Sequence, residues 1–311
     1  MGAERAPAVS APRDVRLGAS WTPQQRLKND AIHALVRAAL FVVTRLPRRA
    51  VASLCRALGA FAWLSLRRER GLAQARLDAG LGAPAPPARV RAAFLRAGAT
   101  LADTLALLDP RERAGDGLAL DPDSAAVFRD ALAAGRGVVF VSAHIGPWER
   151  LAALLAEEGF PVATVARESY DPRLTRLYDR LRAPRGVRSI YRGSPGAVTA
   201  IARELRAGRA VGFLVDLPAR VACARATLFG APMDVPVGAA RIALARRAEV
   251  ILGTCAPGHV VRIERVETAD LPPGRAGEKP LVERLVRALD ARIAADPEAW
   301  LGLFAPPSPR Q

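Results

Sequence analysis

The chain has 311 residues, which is enough for one large α/β domain or for a core domain with a smaller helical part. Its 46 basic and 30 acidic residues give a net charge of +16; the basic residues are almost all arginines spread along the chain, so this bias is not itself a functional signature. Cys55, Cys223 and Cys255 are widely spaced and form no CxxC motif, which argues against a disulfide framework and favours reduced thiols in a cytoplasmic setting.

The N-terminal quarter is strongly basic. Residues 1–70 contain 13 basic and 4 acidic residues, a net charge of +9. Alanine, proline and charged residues dominate the first 20 positions, and we predict a disordered basic leader over residues 1–30. Such a segment attracts nucleic acid, acidic lipid headgroups or an acidic carrier protein, and a plain solvated leader is the alternative. It lacks the continuous apolar stretch of a signal peptide, so the catalytic part is expected to face the cytoplasm.

Residues 31–134 are predicted to form a helical N-terminal part with membrane-associating helices. Its most apolar stretch, the 17 residues 50–66, is flanked by arginines on both sides. That length reaches only the lower limit for crossing a bilayer, and Arg56 inside the stretch would add about 2.5–3.5 kcal/mol to the free energy of insertion. The pattern suits a helix lying on the membrane surface. A helix packed on the protein's own core explains the pattern equally well, and both interpretations stay open.

After Gly135, short apolar strands alternate with helices. Strands are predicted near residues 137–143, 161–166, 187–191, 210–215 and 249–254. The alternating helices are predicted near residues 147–158, 172–182, 195–207 and 237–247, with a closing helix near 279–294; helices near 88–108 and 124–134 precede Gly135. The alternation predicts an α/β fold over residues 135–311, with a mostly parallel central sheet covered by helices.

The sequence SAHIGPWE joins the first of these strands to the helix that follows. Ligands of open α/β sheets bind beyond the carboxyl ends of the strands, and His144 falls at such an end. With Gly146 as N-cap and Pro147 as the first helical residue, Glu149 can reach the imidazole, where a carboxylate would fix the tautomer and stabilise the imidazolium. The alternative is an ordinary turn histidine, followed by an acid that interacts with the exposed amides of a helix start.

Other catalytic templates are missing from the sequence. There is no GxSxG, P-loop or HExxH motif, and His33 and His259 have no metal-ligand spacing to His144. We therefore expect no cofactor and no metal. Without an evident serine or cysteine nucleophile, a His and Glu pair most simply activates a substrate hydroxyl, which implies transfer to an alcohol without a covalent enzyme intermediate.

These residues also carry a resemblance. The H-x4-E spacing from His144 to Glu149 resembles the signature of the lysophospholipid acyltransferase superfamily, and specifically of bacterial lipid A biosynthesis acyltransferases of the lauroyl and myristoyl type. Four further segments follow in the order of that family: the VAR tripeptide ending at Arg167, VDLP with Asp216, LFGAPMDVPVGAARIALA and DPEAWLGLF. The resemblance covers roughly residues 30–304.

The resemblance implies roles for individual residues. His144 would be the general base that deprotonates a hydroxyl of the acceptor, and Glu149 would hold its ring. Arg167 would bind an anionic group of the acceptor, with an ordinary surface arginine as the alternative. Asp216 would lie near the site as a second acid, with helix capping or loop ordering as the alternative.

Two further residues, Phe229 and Gly230, would shape the substrate pocket, although both could simply form a turn. The resemblance implies an acyltransferase that moves a fatty acyl chain from an acyl-carrier protein or acyl-CoA to a hydroxyl of a lipid A precursor or a related glycolipid. Leu217 follows Asp216 where the family often has glutamine, which leaves the acceptor open between these two.

We expect the protein to act at an anionic membrane surface, on the cytoplasmic face of the inner membrane, and not on nucleic acid. Aromatic residues make up only 5% of the chain, and no nucleic-acid recognition motif occurs. The alternative function is that of a catalytically degenerate, membrane-binding partner protein with the same fold. The presence of both His144 and Glu149 argues against that alternative.

Overall fold

The computed structural model describes residues 20–219 and 221–306, so the predicted leader lies outside these ranges as far as residue 19. Within them the chain forms ten α-helices, numbered in chain order: α1 (Pro23–Val43), α2 (Arg48–Ser65), α3 (Arg67–Leu81), α4 (Pro87–Ala106), α5 (Pro122–Ala133), α6 (Trp148–Glu157), α7 (Pro172–Arg182), α8 (Ala197–Arg206), α9 (Gly238–Arg246) and α10 (Arg275–Ala295). The strands in the same ranges are β1 (Ala119–Leu120), β2 (Val138–Ser142), β3 (Val162–Arg167), β4 (Arg188–Arg192), β5 (Ala210–Leu214), β6 (Cys223–Leu228), β7 (Ala231–Pro236), β8 (Glu249–Ala256) and β9 (Val260–Arg265).

Seven of these strands form the central sheet in the order β1-β9-β8-β2-β5-β3-β4. Strands β8, β2, β5, β3 and β4 are parallel, whereas β9 pairs antiparallel with β8 and β1 pairs with β9. Strands β6 and β7 form a separate antiparallel hairpin. The predicted α/β fold with a mostly parallel sheet is confirmed.

The core lies on both faces of the sheet, as the alternation of side chains along β2 shows. This strand is buried along its whole length, which is typical of a strand covered on both faces. Val139 and Val141 pack into a cluster with residues of α3, α4, α8, α9 and α10. Val138 and Phe140 point to the other face and pack with residues of α5 and α6. The sheet is therefore covered by helices on both faces.

Two parts of the predicted element pattern differ from the structure. The first helix begins at Pro23 and not near residue 31, because Thr22 and Gln25 form a capping box and a proline occupies the first helical position. Residues 23–30, predicted as part of the disordered leader, are therefore helical. The hairpin of β6 and β7 and the strand β9 were also missed. In β7, Pro232 and Pro236 obscure the strand pattern, and proline is tolerated there because the hairpin consists only of edge strands.

Helix α2 packs closely against α4. A Cβ atom at Gly59 would lie 2.4 Å from the carbonyl oxygen of Phe94, and one at Gly98 would lie 2.3 Å from that of Cys55. On the opposite face of α2, Phe61 is 65% exposed. The core-packing interpretation of residues 50–66 thus applies to one face of the helix, and the other face remains available to a membrane surface.

None of the described helices is long and apolar enough to cross a membrane by itself. Helices α2 and α3 meet the length and composition criteria only as a pair, and the pair is bent by 91° at the break between them.

The close approach of α2 and α4 leads to a stability prediction. Replacing Gly59 with Val should lower the free energy of unfolding by about 1–3 kcal/mol, because the added methyl groups meet the backbone of α4. Gly71→Ala in α3 is the matched control, since no atom lies within 4 Å of its Cβ position and alanine raises helix propensity by up to about 1 kcal/mol. Urea unfolding followed by circular dichroism measures both. A Gly59→Val protein as stable as the parent would contradict the packing described.

Candidate active site

A large cavity opens at the carboxyl ends of β2, β3, β4 and β5. Its volume is about 1050 Å³, at the upper end of the range for ligand pockets. Most of its lining is apolar, with side chains from α6, α7, α9 and the loop after β5, and Val36 of α1 contributes as well. The polar side chains in its lining include His144, Glu149, Arg167, Arg182 and Arg192. The position matches the general rule for ligand sites in open α/β sheets.

His144 lies in this cavity and is hydrogen-bonded to Asp216. Its ring Nδ1 lies 2.8 Å from Asp216 Oδ1, and its backbone N–H donates to Asp216 Oδ2 at 2.8 Å. The register of the sheet explains the meeting, because Ser142 pairs with Leu214 and both site residues follow two positions later on neighbouring parallel strands. The imidazole is 20% exposed, whereas the carboxylate is fully buried. The edge of the ring also contacts Trp148, with 4.9 Å between the ring centroids.

A third group contacts the same carboxylate. The indole Nε1–H of Trp300 donates to Asp216 Oδ2 at 2.8 Å. With Asp216 as a carboxylate, which only accepts hydrogen bonds, the bond to His144 is donated by Nδ1–H. The neutral imidazole then keeps the lone pair on Nε2, which is the arrangement that a histidine base needs.

Glu149 was expected to hold the imidazole, and the structure gives it a different partner. Its two carboxylate oxygens accept hydrogen bonds from Arg182, at 2.9 Å from Nε and 2.5 Å from Nη2. Helix α6 begins at Trp148 with Pro147 as N-cap, one residue later than predicted, so Gly146 is not the N-cap. The ring Nδ1 of His144 is instead hydrogen-bonded to the carboxylate of Asp216, and this corrects the expected pairing.

The pair of Glu149 and Arg182 is almost completely buried, with exposed fractions of 6% and 9%. Burial by itself would lower the pKa of Arg182, but the hydrogen bonds and the charge of Glu149 more than compensate, so the pKa is raised. Both charges are thus satisfied within the pair. A carboxylate neutralised in this way leaves Asp216 as the acid available to His144.

Arg167 lines the cavity, and a second arginine, Arg192, lies beside it. Arg167 is the last residue of β3 and pairs in register with Arg192, the last residue of β4. Arg167 donates to the hydroxyl of Tyr170 at 2.6 Å, and neither arginine forms an ion pair with a carboxylate in the described ranges. Burial lowers the pKa of Arg192, and the charge of Arg167 lowers it further. Sequence reasoning missed Arg192, although its position at the end of a predicted strand was a usable signal.

Phe229 and Gly230 lie away from the cavity. Phe229 is buried and meets Trp300 edge to face, with 5.9 Å between the ring centroids. Gly230 has a positive φ of 69°, and a Cβ there would lie 2.0 Å from the carbonyl oxygen of Ala79. Neither residue lines the cavity within the described ranges, so they do not occupy the pocket-lining position predicted for them. Both instead support the core behind Trp300.

The described part of the chain contains no cluster of metal-binding side chains. No group of three or more His, Cys, Asp or Glu side chains in residues 20–219 and 221–306 is arranged to hold a metal ion. The polar groups of the cavity include the imidazole of His144, the ion pair of Glu149 with Arg182, and the neighbouring Arg167 and Arg192. These suit proton transfer and anion binding.

The fold and the cavity define an α/β protein with a large, mostly apolar ligand site at the carboxyl edge of its sheet. The model of the bacterial lipid A biosynthesis acyltransferase family matches residues 21–304, and the chain belongs to that family. The protein is therefore an acyltransferase, and the family implies an acyl donor and a lipid acceptor. No match to the chain was found among curated proteins.

The buried ion pair at the cavity leads to a second prediction. Arg182→Met should lower the free energy of unfolding by about 3–5 kcal/mol, because Glu149 would be left as a buried charge without its partner. The double variant Arg182→Met, Glu149→Gln should regain part of this loss. Arg176→Met is the control, since Arg176 is exposed on the same helix and its loss should change stability by at most about 0.5 kcal/mol. Equal urea midpoints for Arg182→Met and the parent would disprove the pairing.

Proposed function

We propose that the protein transfers a fatty acyl chain from an acyl thioester to a hydroxyl of a lipid A precursor or a related glycolipid, with His144 as general base. One observation carries the proposal: the imidazole of His144 lies in a large apolar cavity and is held at Nδ1 by a buried carboxylate. Family membership supports the acyl transfer itself.

The chemistry follows from the tautomer. Nε2 of His144 takes the proton of the acceptor hydroxyl while the hydroxyl oxygen attacks the carbonyl carbon of the thioester. The carbon–sulfur bond then breaks, and the departing thiolate takes the proton from the imidazolium. Asp216 stabilises the positive charge between these two steps and keeps the ring in place. We assign to Asp216 the role that the sequence pattern suggested for Glu149.

The cavity suits an acyl chain. Its apolar walls, built from residues such as Leu155, Val165, Leu177 and Ile242, would replace water around the hydrocarbon, and that burial is favourable. The thioester would belong to an acyl-carrier protein or to acyl-CoA, both of which carry negative charge. Arg176 and Arg180 are exposed on α7 beside the cavity and would attract either donor.

Arg167 and Arg192 would bind an anionic group of the acceptor. These two neighbouring guanidinium groups form no ion pair with a carboxylate of residues 20–219 or 221–306 and repel each other, and a phosphate or carboxylate between them would relieve this repulsion. Lipid A precursors and other acidic glycolipids carry such groups.

The exposed faces of α1 and α2 favour a membrane surface as the place of action. Most of the large apolar side chains that are exposed lie between residues 27 and 66, including Leu35 at 71%, Phe41 at 59% and Leu64 at 62%. Arginines surround them in the sequence, and this combination binds anionic lipid. We propose the cytoplasmic face of the inner membrane, where activated acyl thioesters are available.

The role of His144 is tested by the acyl-transfer rate. His144→Ala should reduce the rate about 10²–10⁴-fold because the base is lost, and Asp216→Asn should reduce it strongly because the ring loses its acceptor. Membranes with a labelled acyl donor and a lipid A precursor would be assayed, with His259→Asn as control because His259 is an exposed turn residue. A His144→Ala protein that transfers acyl chains at the parental rate would disprove the mechanism.

The same assay separates the two acids. Glu149→Gln should reduce the rate less than Asp216→Asn, provided the two variants retain the same fraction of folded protein. The opposite order would restore Glu149 as the residue that orients His144. Complete inactivity of the parent toward all donors and acceptors, with membrane binding intact, would favour the partner-protein alternative.

The arginine pair generates a prediction about the acceptor. Arg192→Met should raise the KM for an anionic acceptor about 10- to 100-fold, because one charge-assisted hydrogen bond contributes about 1.5–3 kcal/mol. The KM for the acyl donor should stay unchanged. Arg167→Met should act in the same direction, and Arg180→Met, an exposed arginine of α7, is the comparison for a general loss of charge. A change in the KM for the acyl donor alone would show that the arginine pair binds the donor and not the acceptor.

Mass spectrometry of lipids with and without the protein would identify the acceptor.

A further inference from the structure

We infer that Trp300 is a positioning residue for the reaction: its indole N–H fixes the carboxylate of Asp216, so the C-terminal segment 297–304 completes the active site. This inference rests on the proposed function of His144 as base. The segment forms two short 3₁₀ turns after α10. It is remote in sequence from Asp216, since Trp300 follows that residue by 84 positions.

The carboxylate is oriented by the division of its hydrogen bonds. Asp216 Oδ2 accepts from the backbone N–H of His144 and from Nε1 of Trp300, each at 2.8 Å. Oδ1 is then turned toward Nδ1 of His144, also at 2.8 Å. The backbone bond alone allows the carboxylate to rotate about its last torsion, whereas two donors on one oxygen restrict that rotation.

The segment that carries Trp300 is itself attached to the loop of His144. The backbone N–H of Leu301 donates to the carbonyl oxygen of His144, and the N–H of Gly146 donates to the carbonyl oxygen of Ala299, both at 2.9 Å. The C-terminal segment therefore holds the base through its backbone and the acid through its indole.

The surroundings of Trp300 show why a tryptophan occupies this position. The side chain is 1% exposed, and a Cβ at Gly302 would lie 2.1 Å from the indole. Phe229 meets one part of the indole edge to face, and the guanidinium of Arg76 lies 5.8 Å from the ring centroid. A phenylalanine would fill most of this space but would leave Asp216 without its third donor. The N–H group is thus the part of the side chain that packing does not require.

The inference predicts a specific change in pH dependence for Trp300→Phe. Without the indole N–H, the negative charge of Asp216 is less compensated and stabilises the imidazolium more strongly. The acidic limb of the pH profile of kcat/KM should therefore move to higher pH, because the less compensated carboxylate favours the imidazolium. The kcat should fall about 10-fold because the carboxylate is less well oriented, and the KM values for both substrates should change little.

Two controls separate positioning from simple destabilisation. Phe229→Leu disturbs the same packing but keeps the indole N–H, so it should lower stability without moving the acidic limb. Trp63→Phe removes an indole N–H from α2 that contacts neither Asp216 nor His144 in the described part of the chain, and it should leave the acidic limb in place. If Trp300→Phe does not fold, Gly302→Ala takes its place, because the added methyl group presses against the indole and should weaken the same hydrogen bond.

A spectroscopic measurement is independent of turnover. The chain has only three histidines, so ¹⁵N-histidine labelling gives few ring signals, and His144→Asn assigns those of residue 144. In the parent, the neutral ring should carry its proton on Nδ1; Trp300→Phe should keep this tautomer but shift the Nδ1 resonance, because Asp216 then accepts the bond with a less compensated charge.

An unchanged acidic limb together with an unchanged Nδ1 resonance in Trp300→Phe would overturn the inference. If His144→Ala remains active, the proposed base fails first and the result concerns the function itself. If His144→Ala is inactive while Trp300→Phe behaves like Phe229→Leu in both measurements, only the role of Trp300 is refuted.

Discussion

The rest of the site depends on the hydrogen bonds that the buried carboxylate of Asp216 accepts. A fully buried charge is unfavourable unless hydrogen bonds satisfy it, and three N–H groups from two other parts of the chain do so here. The strand β5 supplies the acid, the loop after β2 supplies the imidazole and a backbone amide, and the C-terminal segment supplies the indole. Each of these parts is held in place by the requirement to satisfy the same group.

The charges of the cavity divide into compensated and uncompensated groups. Glu149 and Arg182 form an ion pair that is almost completely buried, so the carboxylate of the H-x4-E motif is paired with an arginine and not with the histidine. Arg167 and Arg192 lie side by side at the ends of β3 and β4 without such compensation in the described part of the chain. In the proposed function, this contrast would place the anionic group of the acceptor on the β3–β4 side of the cavity, opposite His144 in the loop after β2.

The N-terminal helices connect the ligand site with the exposed apolar surface. Val36 of α1 lines the cavity, while Asp30 of the same helix pairs with Arg173 of α7 at 2.7 Å. The family match begins at residue 21, so α1 and α2 belong to the acyltransferase unit and are not an appendage. A lipid acceptor that remains partly in a membrane could approach the cavity along these helices without full exposure to water.

Local patterns in the sequence determined the alternation of strands and helices, the position of His144 at the end of a buried strand, and the family to which Arg167, Asp216 and the DPEAW segment point. Those signals depend on neighbours within a few residues. Only the tertiary structure decided which acid meets the imidazole, because strand order places β5 beside β2 and brings Asp216 across 72 positions to His144. It also joined Trp300 to Asp216 and Arg192 to Arg167. Pairings of this kind arise from sheet register and buried hydrogen bonding. A motif spacing such as H-x4-E cannot distinguish a carboxylate that faces the histidine from one that is paired with a buried arginine.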